Sequence, residues 1–162
     1  MLIRNFYLKH VHPLPAEQTP NEILENTKLY PYLKYCCGAI DGSHFHAYVQ
    51  AEATARYRNH KGWITKNVLA ASDFNLKFVY LLSSWEGSAT DSRIFEYAHS
   101  KDLAVPQNCY YLADAGFSIY DILMAPYRGK RYHLKEWAHG NQKYVFRFSS
   151  YYAANGEWSF LN

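Results

Sequence analysis

At 162 residues and 49% hydrophobic content, the chain suits one domain with a real core and is too apolar for a disordered tail. A formal net charge of +3 does not announce a polyanion partner, so any case for nucleic acid has to come from local clusters. Three cysteines, Cys36, Cys37 and Cys109, with no C-x-x-C spacing indicate neither a disulfide framework nor a zinc site and fit a reducing compartment. The 16 tyrosines suit a half-wet core and crust, since each buries a ring and keeps a polar tip.

The opening MLIRNFYLKHVHPLP breaks into charges and Pro13, which is neither a signal peptide nor a transmembrane span and predicts a soluble, intracellular chain with no membrane partner. Residues 1–29 read as a linker or remnant, with little order expected through Pro13, Pro15 and Pro20 and a weak helix signal from Asn21 to Tyr30 ended by Pro31. A first strand is predicted from Lys34 to Ile40, running into Asp41-Gly42 and extending from His44 to Val49. Residues 51–62 form a short helix or ordered loop. Trp63 to Ser72 and Lys77 to Trp85 are β-rich runs separated by a turn at 73–75, an antiparallel hairpin. Asp91 to Lys101 carries Ile94, Phe95 and Ala98 at helical spacing. Asn108 to Ala113 is a further strand ending at Asp114, and Ile119 to Met124 a short helix or loop.

Three acids stand out because each ends an apolar segment: Asp41, Asp91 and Asp114. A carboxylate beside a buried strand needs a cation, a hydrogen bond or a charge partner. If the strands lie side by side, the three converge on one divalent ion, and hard cations such as Mg²⁺ take such oxygen ligands. For Asp91 a second reading stays open, that it caps or electrostatically favours a helix start. Three strands, a helix and another strand open a ribonuclease H-like α/β fold, a mixed sheet with flanking helices, and Asp41 and Asp114 fall on its first and fourth strands.

Five words make the likeness specific: CCGAIDGSH (36–44), YRNHKGWITKNVLAASDFNLKF (57–78), WEGSATDSR (85–93), YLADAGF (111–117) and APYRGKRYHLKEW (125–137). From Tyr30 to about Gln142 the chain resembles the nuclease domain of the PIF/Harbinger transposases and their domesticated derivatives, the DDE superfamily endonucleases. The resemblance implies a DDE domain over 30–143, with Asp41 and Asp114 as catalytic metal ligands and Asp91 as a further acid at the metal. It also implies Mg²⁺ or Mn²⁺ as cofactor, DNA as substrate, a nuclear location, and a separate DNA-binding partner protein of the Harbinger kind. The family's third acid, a glutamate in a word like ER-x-F-G, is not found: residues 144–162 diverge and hold only Glu157, so the expectation is a domain truncated before its C-terminal catalytic helix.

Two basic clusters, Arg56, Arg58, Lys61 with Lys66, and Arg128, Lys130, Arg131 with Lys135, flank the acids; such charge runs read alone as solvated faces, while on a phosphodiester-cutting scaffold they are expected to grip phosphates, with Tyr57, Trp63 and Tyr127 placed to stack bases. His44 and His46 share a strand face, and with no third nitrogen or sulfur ligand near them they read as strand-face histidines. Two functions follow. One is a metal-dependent endonuclease or transposase domain; the other is an inactive descendant that binds DNA or protein.

Overall fold

The computed structural model describes residues 7–12, 14, 19–126 and the backbone of 146–147. Its frame is a mixed sheet of β1 (Cys36–His46), β2 (Thr65–Ser72), β3 (Phe78–Glu86), β4 (Tyr110–Leu112), β5 (Leu123–Pro126) and β6 (Phe146–Arg147). Among the described residues the strand order is β3-β2-β1-β4-β5-β6. The first three strands are antiparallel neighbours, β1, β4 and β5 run parallel, and β6 returns antiparallel. Among the described residues the helices are α1 (Asn21–Leu24), α2 (Thr54–Tyr57) after a 3₁₀ turn at Ala51–Ala53, and α3 (Asp91–Lys101), beside helical residues 7–10. This mixed α/β arrangement is compatible with a ribonuclease H-like fold.

Period-two burial builds the sheet. Along β2, Thr65, Asn67, Leu69 and Ala71 face inward and alternate with more exposed residues. On α3 the buried residues are Ile94, Phe95 and Ala98, and they pack with Ile40, Leu69, Ala71, Tyr80 and Tyr111 in the main core. A smaller cluster on Ile23, Cys36, Tyr110 and Met124 lies where α1 meets β1, β4 and β5. The hairpin and α3 stand where the sequence puts them.

Three expectations differ. The first strand is one continuous run, Cys36–His46, because Asp41-Gly42 keeps its pairing with Ala70 and Leu69 instead of turning. Part of the stretch before residue 29 is ordered: residues 7–10 are helical, the His12 N–H donates to the Phe78 carbonyl at 2.9 Å, and Val11 and Ile23 are buried. Between Ile119 and Met124 the chain turns and then enters β5, which pairs Leu123 and Met124 with Tyr111 and Leu112. Apart from the two β6 residues, 127–162 and the expectations placed on them, Glu157 and the C-terminal helix included, lie outside the described residues.

Candidate active site

Asp41 and Asp114 are brought level by strand register. Ala39 on β1 pairs with Leu112 on the parallel β4, and each acid follows its strand partner by two residues. Beyond that pair β4 has ended while β1 runs on to His46, so the loop holding Asp114 lies at the point where β1 passes Asp41. Each carboxylate is steadied locally: Asp41 Oδ1 accepts from the Gly42 N–H and Asp114 Oδ1 from the Gly116 N–H, both at 2.8 Å.

Asp91 arrives from the other direction, at the first turn of α3. The capping side chain is its neighbour Thr90, whose hydroxyl accepts from the Arg93 N–H. Thr90 thereby frees the Asp91 carboxylate from the cap, and it reaches across to the sheet. Its Oδ1 accepts from Asn67 Nδ2 at 2.7 Å and lies 1.8 Å from where a Cβ on Gly42 would sit. Only a residue without a side chain leaves that space, which is why glycine follows Asp41.

Asn67 is fully buried on β2 and commits its amide N–H₂ twice, to Asp91 and to the Ala89 carbonyl at 3.2 Å; its Oδ1 has no hydrogen-bond partner among the described residues. Gly87 lets the approach loop lie against the sheet, since a Cβ there would stand 2.3 Å from Thr65 Oγ1 and 2.4 Å from the Tyr57 carbonyl oxygen. Ser92 ties α3 to the loop after β4: its hydroxyl donates to the Gly116 carbonyl at 3.0 Å and accepts from the Ser118 N–H at 2.7 Å. One residue beside Asp91 thus fixes the loop that carries Asp114.

Asp41 feels the other two acids. Partial burial raises the Asp41 carboxyl above the ordinary aspartate range; the Gly42 N–H opposes this, and the negative charges of Asp114 and Asp91 add to it. Such repulsion is what a divalent cation relieves, and carboxylate oxygens are the donors that Mg²⁺ and Mn²⁺ accept. All three acids take their hydrogen bonds through Oδ1, and a carboxylate has about four lone-pair sites, so each retains capacity for a cation. The donor set fits a hard divalent ion. Among the described residues no three acidic, histidine or cysteine side chains form a ready-made cage.

A family model described as DDE superfamily endonuclease matches residues 40–150. The chain belongs to the DDE superfamily endonucleases. The matched stretch opens one residue before Asp41 and contains Asp91 and Asp114. Comparisons with curated proteins and with solved structures found no match.

In this DDE superfamily endonuclease the basic residues of the first cluster are partly committed. Arg56 pairs with Glu86 at 3.3 Å on the surface, Arg58 Nη1 donates to the Gly62 carbonyl at 2.9 Å, and Lys61 is exposed at the loop tip. Arg128, Lys130, Arg131, Lys135 and Tyr127 lie outside the described residues. A cavity of about 450 Å³ opens elsewhere, between the N-terminal turn and the end of α3, lined by Val11, Tyr80, Leu103 and Tyr111 among others and by none of the three acids. Asn67, Gly42 and Ser92 were not singled out by sequence. For Asn67 a signal existed: an amide at an inward position of an otherwise apolar, alternating strand.

Proposed function

We propose that this DDE superfamily endonuclease is a divalent-metal-dependent transposase or nuclease domain of the PIF/Harbinger kind, cutting and joining DNA phosphodiester bonds in the nucleus. The reading rests on one observation: Asp41 and Asp114 sit level on parallel neighbours, with Asp91 standing over the adjacent Gly42, near enough for its charge to act on Asp41. Asp41, Asp91 and Asp114 would hold the Mg²⁺ or Mn²⁺. The bound ion supplies Lewis-acid activation of a water or 3′-hydroxyl and steadies the leaving oxygen. The chain's own residues do the positioning. Asn67 and Gly42 aim Asp91, the Gly116 N–H orients Asp114, and Ser92 keeps the two loops in step. Exposed lysines and arginines, Lys61 among them, would hold backbone phosphates without reading sequence, and a separate DNA-binding partner protein would supply target choice.

The test is nicking of a supercoiled plasmid in Mn²⁺ by the chain and by Asp114→Asn. Metal-dependent nicking lost in the variant supports a working nuclease. Metal binding without nicking supports instead an inactive descendant that kept the fold and binds DNA or protein.

A further inference from the structure

The face of β1 that receives Asp91 continues as a line of rings. Gly42, His44 and His46 alternate onto one side of the strand. His44 Nδ1 lies 3.0 Å from Thr65 Oγ1, and its ring meets that of His60 nearly edge-on, with centroids 6.4 Å apart. One step further, the ring of His46 meets that of Trp63 edge-on at 5.1 Å. All four rings are exposed, and Trp63, 57% exposed, stands well out of the core.

The loop that displays Trp63 is stiff. Buried Asn59 accepts through Oδ1 from the Lys61 and Trp63 N–H groups, each at 3.0 Å, and its own N–H donates to the Trp63 carbonyl at 2.9 Å. The Arg58 guanidinium closes on the Gly62 carbonyl, and a bridge joins Arg58 to Ile64. A large apolar ring held rigidly in solvent contributes little to folding but needs no ordering to bind. Lys61 and Arg58 add positive charge on the same loop, which suits a polyanion whose bases can reach the ring.

We infer that His44, His60, His46 and Trp63 form a track for unpaired nucleotides leading along β1 to Asp91 at Gly42, with Trp63 stacking a base and Lys61 meeting the backbone. Bases within a duplex present only their edges, so a stacking ring selects single-stranded or splayed DNA. The inference rests on the DNA-acting reading above and names its substrate class: DNA opened next to the scissile phosphate.

The test measures fluorescence anisotropy of a labelled single-stranded oligonucleotide and of its blunt duplex, without divalent metal, on the chain and on Trp63→Ala, Trp63→Phe and Lys61→Ala. The track predicts tighter binding of the single strand, a loss of about tenfold in Trp63→Ala confined to that strand, and near-complete retention in Trp63→Phe. Lys61→Ala should flatten the salt dependence of both DNA forms. Equal binding of both forms with no effect of Trp63→Ala overturns the track and leaves the nuclease reading standing. A Trp63-dependent single-strand preference in a chain that binds no Mn²⁺ upholds the track and overturns the nuclease reading. Circular dichroism confirms that each variant is folded, and loss of single-strand preference in a folded Trp63→Phe also counts against stacking.

Discussion

Asn67 Nδ2 and Asp91 Oδ1 stand 2.7 Å apart, one from the buried face of β2 and the other from the first turn of α3. The pair joins the sheet to the helix beside Gly42, the residue that follows Asp41. A hydrogen bond to a charged group contributes about 1.5–3 kcal/mol. Asn67→Ala is therefore expected to lower unfolding free energy by about 2 kcal/mol in urea and to weaken Mn²⁺ binding. Unchanged metal affinity in a folded Asn67→Ala would show that Asp91 needs no such guide.

Gly42 and Asp91 share one space. A methyl at position 42 would overlap Asp91 Oδ1, so Gly42→Ala has to push the carboxylate away. Overpacking of this sort costs about 1–3 kcal/mol. The informative comparison is a double-mutant cycle of Gly42→Ala with Asp91→Ala in thermal melts: the second change should relieve most of the cost of the first. Simple additivity would mean that the two do not meet.

Ser92 bridges α3 and the loop after β4 by two hydrogen bonds. Ser92→Ala should reduce stability by about 1 kcal/mol and speed amide exchange at Ser118, while the core of α3 stays protected. Exchange rising equally along the whole helix would point to general loosening instead.

Alkaline pH tests the burial of the cysteines. Burial raises the Cys36 thiol from 9.0 to about 11, and Cys37 is raised as well, because a thiolate there would lose its water. The folded chain then holds protons that the unfolded chain releases, so stability is complete below pH 9 and falls as pH rises from 9 towards 11. Thiol reagents at pH 8 should label the native protein slowly and the urea-unfolded protein fast. Fast native labelling would contradict the packing around β1 and β4.

The elements read correctly from sequence are those whose pattern is local. The hairpin shows period-two alternation with a turn at 73–75, and α3 shows Ile94, Phe95 and Ala98 at helical spacing behind a capping Thr90. The positions of the acids at the ends of apolar runs were legible, and of the two helix-start readings of Asp91 the capping one fails, since Thr90 does the capping, while Asp91 does lie in the first turn. β5 was not legible: four residues, Leu123–Pro126, take strand form only because β4 offers them a parallel edge. Ile23 and Val11 were missed for a similar reason, since short segments gain order from the sheet they pack on rather than from their own propensity. The role of Asn67 depends on which strand face meets the helix, and one strand's sequence does not contain that.

The central claim is that Asp41, Asp91 and Asp114 form one site for a divalent cation, and Mn²⁺ titration by calorimetry tests it most directly. The account predicts saturable binding to the chain, and a loss of at least tenfold in affinity in each of Asp41→Asn, Asp91→Asn and Asp114→Asn, with the folded state retained. Binding that survives all three substitutions, or no binding by the unaltered chain, would contradict it.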